Sequence, residues 1–235
     1  MSPLLKSNLP KRNQSLMVVV ASVLLLSACG GGGGSSSGGG STAVPGGSGG
    51  GGTTPPTMVF TPADFETAEY NRQAGLGQIN ASTAYATGGT GEGVTVAVID
   101  TGIDLNHPEL AGQISPRSID IVGGSRNNVQ DTEGHGTAVS GVIAGLKNNS
   151  GTHGVAFDSQ VMAIRADEIS PCDGECGFFS TDVAAGIDYA VSNGAKVVNL
   201  SISGAGPIGS DYRIAINNAG QNGVVVVAAA GNSGG

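Results

Sequence analysis

The chain has 235 residues, a formal net charge of −8 and an isoelectric point near 4.6. Its Lys and Arg residues form no cluster beyond the N-terminal segment, so the basic footprint of a nucleic-acid-binding protein is absent and we expect no nucleic-acid partner. Residues 58–235 have the length of one ordinary domain of roughly 100–200 residues.

The N-terminal segment has the features of an export signal. Basic residues precede an apolar run of 11 residues, Leu16–Leu26. A membrane-spanning helix needs about 20 residues, so this run fits a signal peptide better. It ends in Leu26-Ser27-Ala28-Cys29, which resembles the lipobox of bacterial lipoproteins, whose cysteine carries acyl chains. We predict a lipoprotein signal peptide at residues 1–28, a lipid anchor at Cys29, and a location in the outer membrane or at the cell surface.

An ordinary secretory signal with an incidental cysteine stays open as the alternative. Residues 29–57 are predicted to be a flexible linker in either case. Residues 30–52 are almost wholly Gly, Ser and Thr, and therefore cannot bury enough apolar surface to offset the entropy lost on ordering. The folded domain is expected over residues 58–235.

That domain alternates strands with helices. Helical stretches are predicted between Phe60 and Ala86, with breaks at Gly75 and Gly77, followed by a turn at Gly88–Gly93. This turn precedes a strand, whereas a dinucleotide-binding loop follows one, so we exclude a nucleotide site. The later predicted strands are Val94–Ile99, Asp120–Val122, Val161–Ile164, Val197–Ile202 and Val224–Ala229, and the later helices are His135–Leu146, Ser180–Asn193 with Ser180 as N-cap, and Asp211–Asn222.

These elements predict an α/β domain with a parallel sheet covered by helices on both faces. The strands lack alternation of apolar and polar residues and are separated by helices of roughly 10–15 residues, as in sheets that are buried on both sides. Functional residues of such folds gather at the carboxyl ends of the strands. Asp100 and Asn232 follow strands and His135 begins a helix, so we expect all three at one edge of the sheet.

An aspartate, a histidine and an asparagine in these positions suit hydrolysis by a nucleophilic serine. The reaction needs a base for the hydroxyl proton, a carboxylate that orients the base, and a donor for the oxyanion. We assign these roles to His135, Asp100 and Asn232, in that order. Each residue alone could be a turn or capping residue, but the three together favour the catalytic interpretation.

Three motifs resemble those of the subtilases, a family of serine proteases. VAVIDTGID is similar to the family's aspartate motif, HGTAVSGVIAG to its histidine motif and AAAGNSG to its oxyanion-asparagine motif. The resemblance covers residues 75–235 and implies a subtilisin-like three-layer fold, serine endopeptidase activity on protein or peptide substrates, and no required cofactor. It also implies a substrate-binding strand whose end walls the specificity pocket, at Ser201, Ile202, Ser203 and Gly204.

The nucleophile of this family lies in a Gly-Thr-Ser motif after the asparagine, and the 235 residues contain no Gly-Thr-Ser. Ser233 directly follows Asn232 and is not a substitute. We therefore expect the C-terminal part of the domain to be missing and residues 1–235 to be inactive alone. The lipobox, linker and subtilase-like region in this order also resemble the passenger of autotransporter proteases. Two alternatives are a non-catalytic binding or adhesion module on a subtilase scaffold and a truncated, non-functional product.

Two further sites are predicted. Residues 146–151 (LKNNSG) resemble the family loop that binds a structural calcium ion, which makes Glu109 and Asn148 candidate ligands of an ion that favours oxygen atoms. Cys172 and Cys176 lie in a polar, turn-rich loop, where a cysteine pair of an exported protein favours a disulfide. A metal site at the two thiols is disfavoured because it needs four ligands and no histidine is adjacent.

Overall fold

The computed structural model describes residues 59–124, 128–168, 177–203 and 209–231. Five residues to which we assigned a role lie outside the described residues, namely Cys29, Cys172, Cys176, Gly204 and Asn232. No helix within the described ranges combines the length and the apolar character that crossing a membrane requires.

Five strands form one parallel sheet in the order β2-β3-β1-β4-β5. Val98 in the central strand lies opposite Ala163 on one side and Asn199 on the other. β3 therefore lies on one side of β1 and β4 on the other, so the order of the strands reverses at β1. Ligands of such sheets bind outside the carboxyl ends of the strands at this point of reversal, the switch point. The strands are β1 (Thr95–Asp100), β2 (Ile119–Asp120), β3 (Gln160–Arg165), β4 (Val197–Leu200) and β5 (Val225–Ala228).

Helices cover both faces of the sheet, which confirms the predicted α/β architecture. Val96 and Val98 of β1 pack with Val139 on one face, whereas Ala97 and Ile99 belong to the core on the other face. Burying each large side chain of these cores contributes about 1.5–3 kcal/mol to folding. The helices are α1 (Ala68–Arg72), α2 (Ala74–Gln78), α3 (Ala81–Ala86), α4 (His135–Ala144), α5 (Ser180–Ser192) and α6 (Ser210–Gln221), and short 3₁₀ turns lie at Pro62–Asp64 and Pro108–Leu110.

The predicted breaks at Gly75 and Gly77 are wrong, because both glycines lie inside α2. Glycine costs about 1 kcal/mol in a helix relative to alanine, and packing overrides this cost here. Leu76 is buried between the glycines, and its carbonyl accepts a hydrogen bond of 2.9 Å from the Tyr70 hydroxyl. Helix α2 ends instead near Asn80, whose left-handed backbone has a φ of 55°.

The prediction of Ser180 as an N-cap is also wrong by one residue. Phe178 pairs with Asp167 in an isolated antiparallel bridge, which keeps the chain extended as far as Phe179. The N-cap is therefore Phe179, and Ser180 is the first residue of α5. The other predicted boundaries of strands and of the helices α4 to α6 lie within two residues of the observed ones.

Candidate active site

Asp100 is the last residue of the central strand and is completely buried. Its Oδ1 atom accepts a hydrogen bond of 2.8 Å from the backbone amide of Thr101. The carboxylate therefore lies at the switch point of the sheet, the position where a parallel sheet presents functional groups.

His135 is the first residue of α4, and its Nδ1 atom lies 2.5 Å from Asp100 Oδ1. The glycines beside it allow this approach. Gly134 has a φ of 87°, a conformation that side chains disfavour. A Cβ atom on Gly136 would overlap the carbonyl oxygen of Gly102. The helix can thus begin directly against the end of β1, and the structure brings together two of the three predicted catalytic side chains.

The contact with Asp100 defines the chemistry of the ring. An ionised carboxylate only accepts hydrogen bonds, so Nδ1 carries the proton and Nε2 is the basic nitrogen of the neutral imidazole. The hydrogen bond to Asp100 raises the pKa of His135 above its ordinary value, burial of the ring opposes this, and the charges of Asp100 and Asp131 add to the increase. Within the described residues, Nε2 is shielded from solvent and has no hydrogen-bond partner. The ring is thus arranged as a proton acceptor.

Asp131 is a buried residue of this site that the sequence analysis missed. It accepts hydrogen bonds from the Thr101 hydroxyl at 3.0 Å and from the Thr137 hydroxyl at 2.6 Å. Burial raises the pKa of Asp131, but the hydrogen bonds from Thr137 and from backbone amides outweigh it, so that the pKa lies below its usual range. The one local signal in the sequence is its position, four residues before His135 in the loop that leads into α4.

Three of the four predicted substrate-binding residues follow β4 at the same edge of the sheet. The pairing of Val98 with Asn199 places Ser201 level with Asp100 on the neighbouring strand. Ser201 is buried and its hydroxyl accepts a hydrogen bond of 3.0 Å from Asn199, whereas Ile202 and Ser203 are partly exposed. The segment 201–203 is therefore available beside the Asp100–His135 pair.

A buried ion pair lies at this edge on the other side of β1. Arg165, the last residue of β3, contacts Asp167 through hydrogen bonds of 2.7 and 3.2 Å. Burial raises the pKa of Asp167, although its contact with Arg165 opposes the increase. Arg165 is the one buried arginine or lysine among the described residues. It offsets part of the negative charge that Asp100, Asp120 and Asp131 concentrate here.

The predicted calcium ligands lie in contact. The Asn148 side-chain amide donates a hydrogen bond of 3.1 Å to Glu109, and its carbonyl oxygen accepts one of 2.8 Å from the Ser150 amide. The loop is also held from α1, because the buried Glu69 carboxylate accepts hydrogen bonds from the amides of Asn148 and Asn149 at 3.3 and 2.7 Å. No group of three or more His, Cys, Asp or Glu side chains that could hold a metal ion occurs in the described ranges.

The loop with the predicted disulfide lies outside the described residues, but its two ends are in contact. Asp167 bridges Phe178, and the Glu168 amide donates a hydrogen bond of 2.9 Å to the Gly177 carbonyl. Glu168 and Gly177, the described residues that flank this loop, therefore lie side by side.

Known proteins are similar to this chain in sequence and in architecture. Residues 91–235 match the model of the subtilase family. Subtilisin of Bacillus pumilus is 38% identical over 161 residues, which cover 68% of this chain and 55% of that protein. Thermitase of Thermoactinomyces vulgaris is 39% identical over 184 residues, which cover 74% of this chain and 59% of thermitase. The chain spans about half the length of the curated relatives it matches.

Solved structures agree with the sequence comparison. Fervidolysin from Fervidobacterium pennivorans, described as a keratinolytic enzyme related to subtilisin, superposes with a TM-score of 0.61 at 32% identity, covering 75% of this chain and 27% of fervidolysin. A protease from Pseudoalteromonas arctica gives a TM-score of 0.53 at 33% identity, with 61% of this chain and 51% of that chain covered. The matched family, the subtilisin-like fold and the juxtaposed Asp100 and His135 lead to one conclusion: the chain belongs to the subtilase family.

Proposed function

We propose that this protein is a serine endopeptidase in which Asp100 orients His135 and His135 activates a serine hydroxyl. The observation that carries the proposal is the 2.5 Å contact between His135 Nδ1 and the buried Asp100 carboxylate at the end of the central strand. It leaves Nε2 as the atom that accepts a proton.

The proposed reaction follows from these protonation states. His135 Nε2 takes the proton of the serine hydroxyl while the serine oxygen attacks the carbonyl carbon of the scissile peptide bond. The ring is then charged, and the Asp100 carboxylate stabilises that charge. Nε2 next returns the proton to the nitrogen of the leaving amine as the C–N bond breaks, which leaves the acyl group as an ester on the serine. A water molecule then hydrolyses this ester, with Nε2 taking a proton from the water and returning it to the serine oxygen. Asn232 is proposed as a side-chain donor to the oxyanion, and the serine as part of a Gly-Thr-Ser motif that the 235 residues do not contain.

Protein or peptide substrates are proposed to bind along residues 201–204. Ser201 to Ser203 leave the sheet beside Asp100, where an extended peptide could pair with their backbone. The proposal includes Gly204, which lies outside the described residues.

The test uses the protein expressed from its complete gene and a fluorogenic peptide substrate. His135→Ala should lower kcat by at least about 10⁴-fold, and Asp100→Asn by a similar factor, because triad members act as a unit. His107→Gln is the matched control, since His107 precedes Pro108 in a loop and has no role in this mechanism. Hydrolysis that survives His135→Ala would refute the assignment, and no hydrolysis by the wild type would favour the non-catalytic binding module.

We further expect that residues 1–235 expressed alone hydrolyse no peptide, because the Gly-Thr-Ser motif is absent from them. Peptide hydrolysis by that polypeptide, abolished by His135→Ala, would show that another group serves as nucleophile. Light scattering on the same polypeptide tests the alternative of a truncated product, which should aggregate through its exposed apolar surface.

Export and lipid anchoring at Cys29 are proposed from the N-terminal segment, and an autotransporter-type arrangement from the order of its parts. Cys29→Ser should move the protein from the detergent-extracted membrane fraction to the soluble exported fraction. Mass spectrometry of the mature N-terminus should find acylated Cys29 in the wild type. An unmodified terminus at another residue would support an ordinary secretory signal instead.

A structural calcium ion is proposed at Glu109 and Asn148. Both side chains offer oxygen ligands, and the Asn148 amide would have to turn so that its oxygen instead of its nitrogen faces the ion. Chelation should lower the thermal midpoint of the wild type but not of Glu109→Gln. An equal effect of the chelator on both proteins would contradict the site.

A disulfide between Cys172 and Cys176 is proposed from their spacing and from the adjacent ends of their loop. Intact mass before and after alkylation, with and without reductant, should show two additional alkylated thiols only after reduction. Alkylation of both thiols in the unreduced, unfolded protein would contradict the bond.

A further inference from the structure

We propose that Asp131 is a positioning residue that holds the Asp100 carboxylate and the His135 ring in their productive arrangement. This inference rests on the proposed protease function and adds a residue that acts only through its neighbours. Asp131 lies in the loop that leads into α4, and it is 8% exposed.

Both oxygens of the Asp131 carboxylate are fully engaged. Oδ1 accepts hydrogen bonds from the Thr101 hydroxyl at 3.0 Å and from the amides of Glu133 and Gly134 at 3.0 and 2.8 Å. Oδ2 accepts them from the amide and the hydroxyl of Thr137 at 2.9 and 2.6 Å. One side chain thus accepts five hydrogen bonds that come from two separate parts of the chain.

These partners flank the two proposed catalytic residues. Thr101 directly follows Asp100, and Gly134 directly precedes His135. The Thr101 hydroxyl also accepts a hydrogen bond of 2.9 Å from the Gly136 amide, so it connects the end of β1 to the residue after His135. Asp131 therefore holds Gly134 and Thr137, which lie on either side of His135, at a fixed position relative to Thr101. Thr101 is the residue next to Asp100.

The start of α4 depends on this arrangement. Its N-cap residue, Gly134, has no side chain that could accept hydrogen bonds from the first amides of the helix. Thr101 and Asp131 take that role from outside the helix, and the negative charge of Asp131 is favoured near a helix N-terminus. Loss of the carboxylate would release the first turn, which begins with His135.

Catalysis is sensitive to such a release. A displacement of about 1 Å in a catalytic group can lower the rate by about 100-fold without any change of its chemistry. The Asp131→Asn variant has an NH₂ group in place of one carboxylate oxygen, and this group donates hydrogen bonds but does not accept them. It would face either the two donors of Thr137 or the three donors that contact Oδ1, and at least part of the network would be lost. The predicted consequence is a lower kcat at a nearly unchanged KM, because the residues at 201–204 are not involved.

The experiment compares variants of the protein expressed from its complete gene. Asp131→Asn should lower kcat by about 10–100-fold with KM within about twofold of wild type. Glu133→Gln is the matched control, an exposed carboxylate of the same loop, and should leave kcat within about twofold. Thr101→Val should lower kcat by about tenfold and Thr101→Ser should retain it, because serine restores the bridging hydroxyl. The two Thr101 variants test the same hydrogen-bond network if Asp131→Asn does not fold.

A spectroscopic readout makes the test independent of turnover. The proton resonance of His135 Nδ1 reports its hydrogen bond with Asp100, and it should shift or broaden in Asp131→Asn and in Thr101→Val but not in Glu133→Gln. An unchanged resonance together with an unchanged kcat in a folded Asp131→Asn protein would overturn the inference. If His135→Ala is inactive while Asp131→Asn keeps its kcat, only this inference fails. If His135→Ala keeps its activity, the proposed function fails.

Discussion

Replacing Arg165 with methionine should destabilise the protein by about 3–5 kcal/mol. The guanidinium makes two hydrogen bonds with Asp167, and the two residues are only 9% and 1% exposed. Removing one partner of such a pair leaves the other charge buried without compensation, which costs about 3–5 kcal/mol. Asp120 and Asp131 also act on the guanidinium electrostatically.

Urea unfolding followed by circular dichroism measures this loss, in a His135→Ala background that prevents self-digestion. The double variant Arg165→Met with Asp167→Leu also removes the Asp167 carboxylate, so no unpaired charge stays buried. Its free energy of unfolding should therefore return to within about 1 kcal/mol of that of the parent. Lys196→Met removes an exposed cation and should change it by less than about 0.5 kcal/mol. The reasoning is refuted if Arg165→Met is as stable as the parent, or if the double variant is as unstable as Arg165→Met.

Further predictions concern the site and the loop beside α1. The Asp100 hydrogen bond raises the pKa of His135 above that of an ordinary imidazole, and only the neutral ring accepts a proton. We therefore expect kcat/KM to fall as the pH decreases through a value higher than the pKa of a free histidine side chain, and an acid limb below the pKa of a free histidine side chain would contradict this. Gly136→Ala introduces a methyl group against the Gly102 carbonyl and should lower kcat by about 100-fold, measured with the fluorogenic peptide. Glu69→Gln weakens a buried acceptor of two backbone amides and should lower the free energy of unfolding in urea by about 1–3 kcal/mol. An unchanged midpoint would show that Glu69 does not hold this loop.

Asp100 and His135 could be predicted because each lies beside an element with a strong local pattern. The apolar run before Asp100 lacks alternation, which is typical of a strand buried on both faces. The apolar residues after His135 follow helical spacing. Since parallel strands end at one edge of the sheet, these two local patterns were enough to bring the residues together.

Asp131 could not be identified in that way because it lies in a loop, without the local pattern of a strand or a helix beside it. The Thr101 hydroxyl is 30 positions away, and nothing near Asp131 in the sequence indicates that contact. Contacts over shorter distances in the sequence account for the two wrong predictions. Packing of Leu76 keeps α2 helical through its glycines, and the bridge of Phe178 to Asp167 moves the start of α5.

Covalent labelling with a fluorophosphonate tests the central claim, that the Asp100–His135 pair activates a serine. Mass spectrometry of the protein expressed from the complete gene should find one adduct, on the serine of a Gly-Thr-Ser motif. The same serine should stay unlabelled in His135→Ala, because its hydroxyl then has no base. Equal labelling of wild type and His135→Ala, or an adduct on a different residue, would contradict the account.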